Sequence, residues 1–196
     1  IYPNQLIIIY TLLFNIFIMK NEFLHELFVD VLKDLYSAEK QLVSTGLPTM
    51  IDATTDSTMK SAFEDHLAET EVHVKRLEEI AEMLQDVAIN GKKCVGMEGL
   101  IKEAEELVKT ELDEVSMDMG LNTGAMKVEY YEIVEYNTAV ALAHLMGHTE
   151  AAEILEKTLN EEIDTNQKLE EIAIGMIDSL ADDEDMEDEE MEEDEE

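Results

Sequence analysis

The sequence predicts an all-α fold, a four-helix bundle with an additional short helix between its two helix pairs. Three observations carry that expectation. The chain has no run that alternates apolar and polar residues as a strand would. Leu, Glu, Ala, Lys and Met dominate it, with two Pro, eight Gly and no Trp in 196 residues. Four amphipathic stretches also carry ionisable groups at positions where a helix facing a core should be apolar.

The first helix follows from Leu24, Phe28, Leu32, Leu35 and Leu42, a row interrupted by Glu39. It is clear from Asn21 to Val43, and Gly46 and Pro48 should kink it or end it before Ala53. Thr54-Thr55-Asp56-Ser57 supplies a turn and a cap for a second helix, Ser57 to Asp86, whose row Met59, Phe63, Leu77, Ile80, Leu84 contains His66, Glu69 and His73. Asn90-Gly91 marks a turn, and a short helix should run from Met97 to Leu112. A link near Asp113 to Gly124 precedes a long helix from Ala125 to Met146, with Glu129 and Glu132 beside Val128, Tyr136, Ala139 and Leu142. Gly147-His148-Thr149 breaks the pattern, and the last long helix, Glu150 to Leu180, carries Glu161 and Glu162 between Leu155, Leu159, Leu169 and Ile172.

The two ends read differently from this middle. Residues 1–18 begin with Ile and are almost entirely apolar from Leu6 to Ile18, too short a run for a bilayer span of about 20 residues. They lack the basic start and small-residue cleavage site of a signal peptide. We read them as an upstream or appended segment, with Met19 as the natural start and a weak membrane anchor as the alternative. Residues 182–196 hold thirteen acids and two Met, so 181–196 should form a disordered acidic tail. The domain proper is then 19–180.

The formal charge is −35, and about −22 remains without the tail. Such a surface repels phosphate backbones and acidic membranes, which argues against nucleic-acid and membrane partners. It suits either a protein adapted to high salt or an ordinary acidic one with a charged tail. Acidity along the exposed helix faces favours the first, whereas twelve Lys to one Arg is unusual for it. The single cysteine, Cys94, precludes an intrachain disulfide and fits a reducing cytoplasm.

Acids on four apolar stripes imply convergence, because a lone buried carboxylate costs several kcal/mol. Converging carboxylates in a four-helix bundle can hold two metal ions. An internal echo supports this: shifted by 92 residues, His66–Ala81 lies over Thr158–Ala173 with seven of sixteen positions identical, Glu69 over Glu161. Candidate ligands are Glu39, His66, Glu69, Glu129, Glu132, Glu161 and Glu162. For Glu39 the alternative is that it faces the stripe's edge or pairs with a lysine. His66 precedes Glu69 by three residues, the reverse of the usual Glu-x-x-His order, so a core histidine bonded to a carboxylate is an equal reading. His73 falls in an outer shell or in solvent. At about 100° per residue Glu162 lies nearer the stripe centre than Glu161, but the internal echo favours Glu161. A donor set rich in carboxylates points to iron or manganese rather than zinc or copper(I).

The segments Asp34-Leu35-Tyr36-Ser37-Ala38-Glu39-Lys40-Gln41-Leu42, His66-Leu67-Ala68-Glu69-Thr70, Arg76-Leu77-Glu78, Lys93-Cys94-Val95-Gly96-Met97-Glu98-Gly99-Leu100-Ile101, Lys127-Val128-Glu129-Tyr130-Tyr131-Glu132-Ile133 and Glu161-Glu162 with Thr165 resemble, in order, the YciF family of ferritin-like proteins. The resemblance covers about Glu22 to Ile174. It implies a ferritin-like bundle, a homodimer and an association with stress responses, and no defined reaction. This chain departs from the family pattern with Tyr130 for a common His, Asn166 for a common Asp, and His73 for a frequent Gln. The functional expectation is a stress-response protein with a carboxylate-bridged Fe or Mn pair acting on oxygen, peroxide or ferrous iron. The alternative is a non-catalytic structural or interaction protein that keeps only the fold.

Overall fold

A computed structural model describes the backbone of residues 3–85 and 87–193 and the side chains of 22–85 and 87–180. Among the described residues there are six α-helices and no strand: α1 Pro3–Gln41, α2 Leu47–Ala53, α3 Ser57–Met83, α4 Val95–Leu107, α5 Glu114–Met146 and α6 Thr149–Glu193. A π-helical turn, Leu42–Gly46, joins α1 to α2. That turn is how the chain resolves the expected break. It widens the helix by one residue, and Pro48 falls in the first turn of α2, where its missing N–H is not needed. Gly46 is required for space: a Cβ there would lie 2.9 Å from the Leu42 side chain and 3.2 Å from Ile101 of α4.

The caps match the sequence. Asp56 accepts from the Met59 amide at 2.7 Å to open α3, and Gly147, at φ +78°, closes α5. One expected boundary needs correction. The span Asp113 to Gly124 is not a link, because α5 begins at Glu114, capped by Asp113 through the Ser116 amide at 2.9 Å. The apolar pattern fails there because two inward positions are polar. Asp118 grips the 54–56 turn, and Asn122 donates to the Leu169 carbonyl at 3.0 Å. The short helix α4 also sits earlier than expected, ending at Leu107 rather than Leu112.

At the ends, α1 is helical from Pro3 and α6 continues to Glu193, past the expected stop at Leu180. The side chains of 1–21 and 181–196 lie outside the described residues. The expectations about residues 1–18 and about the acidic tail fall largely there. Among the described residues, no helix is long and apolar enough to cross a membrane.

Helices α1, α3, α5 and α6 form the bundle, with α1 against α3 and α5, and α6 against α3 and α5. The core lies in two apolar clusters. One gathers Phe28, Leu32, Leu35, Leu77, Ile80, Tyr136 and Leu155; the other gathers Leu42, Met50, Phe63, Met97, Leu121, Val128 and Leu169. Each bundle helix passes from one cluster to the other, so α1 and α6 run one way and α3 and α5 the other. The segment containing α4 is therefore the crossover of a ferritin-like bundle, in which the second and third long helices are parallel. Between the clusters every bundle helix contributes one layer: Glu39 after Leu35, His66 and His73 after Phe63, Glu129 and Glu132 after Val128, and Glu162 after Leu159. The misfits of the four stripes meet in that layer.

Candidate metal centre

Six side chains of this layer approach one another. His66, Glu129, Glu132 and Glu162 each offer a ligand atom within 4.8 Å of the others, and Glu39, His73 and Glu162 do the same, so Glu162 belongs to both groups. All six are buried, with Glu39, His73, Glu132 and Glu162 at 0% exposure. The His66 Nε2 lies 3.2 Å from Glu129 Oε1 and 3.9 Å from Glu162 Oε2. The His73 Nδ1 lies 2.9 Å from Glu162 Oε1 and 3.6 Å from Glu39 Oε1. Each imidazole thus turns one nitrogen into the carboxylates.

Donors are scarce. Both oxygens of Glu132, with Glu39 Oε2, Glu129 Oε2 and Glu162 Oε2, are buried and without a hydrogen-bond partner. The Tyr136 hydroxyl donates to Glu39 Oε1. Native interiors pair nearly all such atoms, so this density of orphaned acceptors needs a positive charge to offset it. Protons supply part of it. Burial, then the charges of Glu39, Glu162 and Glu129, hold the Glu132 carboxyl well above its usual range. Burial also raises Glu162, to about 7, although the bond to His73 pulls the other way. Burial alone would lower both histidines, but Glu129 and Glu162 bring His66 up to about 9, and Glu162 and Glu39 bring His73 up to about 11.

A second row supports the first. Glu161 accepts from His73 Nε2 at 2.9 Å and is clamped by both terminal nitrogens of Arg76, with Arg76 Nη2 at 3.0 Å from Glu161 Oε1. Burial would raise the Glu161 carboxyl, and the Arg76 and His73 contacts instead hold it below its usual range. Arg76 also donates to Thr158 Oγ1 at 3.0 Å. A carboxylate on the far nitrogen of an inward-facing histidine fixes its tautomer and ring plane.

The structure therefore gathers Glu39, His66, Glu129, Glu132 and Glu162 of the expected ligands and leaves two outside. Glu161 is the partner of Arg76 and His73. Glu69 is half-buried beside the cluster and is in neither group. Its angle explains this: seven residues make about 700°, which puts His73 within about 20° of His66, whereas Glu69 is turned about 60° away. His73 is inside the group, a nearer place than the outer shell or solvent. The seven-residue spacing was the signal for it. Tyr130 is exposed and donates to Glu170 at 3.0 Å, and Asn166 donates to the same carboxylate at 2.8 Å, so neither departure at those positions enters the cluster. Cys94 is buried and lies 3.0 Å from the Tyr131 hydroxyl.

Fold and site together define a ferritin-like four-helix bundle built around four buried glutamates and two histidines. The domain of unknown function DUF892 matches residues 23–182. Protein YciF of Escherichia coli K12 is 40% identical over 164 residues, covering 83% of this chain and 98% of YciF. The crystal structure of the E. coli stress protein YciF superposes with a TM-score of 0.77 at 38% identity, over 79% of this chain and 97% of that one. YcfI of Rhodopseudomonas palustris, described as a candidate structural protein, superposes with a TM-score of 0.72 at 34% identity, over 75% and 92%. The chain belongs to the YciF family, DUF892.

Proposed function

We propose that this chain is a stress-response protein that holds two iron or manganese ions in the layer formed by Glu39, His66, His73, Glu129, Glu132 and Glu162. The observation that carries this is the convergence of six buried side chains into two ligand groups that share Glu162, with both oxygens of Glu132 lacking any donor. Four carboxylates and two imidazoles make the donor inventory of ferritin-like two-metal sites, redistributed so that α3 supplies both imidazoles. Hard oxygen ligands with few nitrogens suit iron and manganese. Such a pair supplies redox chemistry toward oxygen, peroxide or ferrous iron when bound.

The residues of the chain have separable roles in this reading. Glu162 belongs to both ligand groups and links the two halves of the site. Glu161, clamped by Arg76, holds His73 with Nδ1 turned inward. Tyr136 keeps one oxygen of Glu39 occupied and so directs the other. The two apolar clusters pack against either end of the layer.

A second reading has its own support. Imidazolium forms of His66 and His73 offset two carboxylates, while Glu132 and Glu162 can stay protonated, and the bundle then stands without metal as a structural protein. Metal titration of the full chain, with elemental analysis, separates the two. Two ions per chain should bind to the wild type. Glu39→Ala and Glu132→Ala should abolish stoichiometric uptake, and the exposed Glu71→Ala should leave it unchanged. Absent uptake by the wild type, or unchanged uptake by the two cluster variants, leaves the structural reading.

A further inference from the structure

Beside the cluster lies a cleft of about 760 Å³ between α2, α3, α5 and α6. Its volume is within the range of small-molecule sites, roughly 300–1,000 Å³. The apolar part of the wall comes from Leu47 and Met50 of α2, Phe63 of α3, Val128 of α5, and Leu169 and Ile172 of α6. Two members of the acidic layer, His66 and Glu129, close its inner side. They are 3% and 1% exposed; His66 Nε2 lies 3.2 Å from Glu129 Oε1, and Glu129 Oε2 has no hydrogen-bond partner. The polar residues around the cleft are lopsided in charge: Asp56, Asp65, Glu69 and Glu171 against Lys168.

We propose that this cleft binds an amphiphilic small molecule with a long apolar body and a cationic or uncharged polar end. The apolar body follows from the walls, since burying such a chain gains about 25 cal/mol per Å². The charge of the polar end follows from the balance of charge along the lining. The lining carries five carboxylates, Asp56, Asp65, Glu69, Glu129 and Glu171, against Lys168 and His66, and this excess of acid disfavours an anionic head group. Glu69 thereby acquires a role outside the metal cluster, as part of the charged rim that selects against anions. As a substrate seat the cleft rests on the metal reading above; as a binding site it does not.

The metal-free full chain is titrated with the neutral fluorophore N-phenyl-1-naphthylamine, which brightens in apolar surroundings. Saturable binding at one site per chain is expected. Dodecyltrimethylammonium, below its micelle concentration, should displace the fluorophore at a concentration at least about tenfold lower than dodecanoate needs, a difference of about 1.4 kcal/mol. Gly175→Trp tests the location. A Cβ at Gly175 meets nothing within 4 Å, so the helix tolerates it and the indole occupies the cleft. Binding should weaken at least about tenfold. Gly99→Trp, equally unobstructed and away from the cleft, should bind as wild type does.

Unsaturable fluorescence, equal displacement by dodecanoate, or unchanged binding by Gly175→Trp would each overturn the proposal. Light scattering is run on the same samples. An oligomer dissociated by Gly175→Trp would assign the cleft to a contact between copies, which also overturns it. Metal uptake is measured separately on Gly175→Trp and probe binding on Glu39→Ala. Failure of the cleft and failure of the metal reading therefore give different results.

Discussion

Asp118 and Glu132 stand on the same helix, fourteen residues apart and both buried, yet their surroundings are opposite. Asp118 accepts from Thr54 Oγ1 at 2.6 Å, from the Thr55 amide at 3.0 Å and hydroxyl at 2.7 Å, and from the Asp56 amide at 2.8 Å. Burial would raise its pKa, and these donors together hold it below the usual value. Glu132 has no donor on either oxygen, and its pKa is driven up by burial and by its acidic neighbours. One carboxylate ties the α2–α3 turn to α5 and is complete within the chain. The other is incomplete within the chain. A buried acid is thus no sign of a ligand until its partners are counted.

The comparison breaks or stands on two substitutions, the larger first. Asp118→Ala removes the acceptor of four part-buried donors and should cost about 3 kcal/mol. That lowers the melting temperature by roughly 10 °C for a chain of this size. Glu132→Leu in the metal-free protein should do the reverse, gaining about 1–3 kcal/mol as an unpaired buried carboxyl gives way to an apolar side chain. Paired thermal melts of the two variants decide it. A neutral Asp118→Ala or a destabilising Glu132→Leu would mean that the two carboxyls are not the opposites described.

Glu161 and Glu162 sharpen the same distinction between neighbours. Glu162 at the centre of the layer should be indispensable, so Glu162→Gln should leave no stoichiometric metal uptake. Glu161→Gln keeps an acceptor for His73 but loses the charge held by Arg76, and should weaken metal affinity by about 10–100-fold without abolishing it. Isothermal titration with Mn²⁺ measures both. Equal effects from the two variants would erase the difference between a ligand and the group that orients one.

This pair also shows what the sequence made legible. Angular position along each helix put Glu39 and Glu132 on the inward stripe and Glu162 nearer its centre than Glu161, as the packing has them, because a residue's face depends only on local helical geometry. The internal echo that superposed Glu69 on Glu161 was real in a different sense: both residues border the same surface recess, outside the cluster. Identity between repeats reports equivalent position in the bundle, not coordination. The opening of α5 was illegible because Asp118 and Asn122 turn inward toward partners 62 to 64 and 47 residues away in sequence, which no local pattern encodes. The contacts that Arg76 and His73 make were illegible for the same reason. Their shared partner Glu161 lies on α6, 85 and 88 residues on.

The pH dependence of the metal-free protein also has a fixed sign. His66 and His73 are raised to about 9 and about 11 in the folded chain, from an ordinary value of about 6.5. Their contribution to stability is complete below about 6.5 and is lost as pH rises through the folded values. Glu162, raised to about 7, binds a proton in the folded chain that the unfolded chain has already released, so its share also falls with rising pH up to that point. The depressed groups, Asp118 and Glu161, contribute fully at neutral pH and lose that share only in acid, so they leave the alkaline side untouched. The metal-free chain should therefore melt lower at pH 9 than at pH 6. Metal ions bind the deprotonated carboxylates and neutral imidazoles, so saturating Mn²⁺ should shrink or reverse that slope. A metal-free melt that is flat or rising over this interval would show that the histidines are not held charged by the carboxylates. A slope unaltered by Mn²⁺ would show that the ions bind elsewhere.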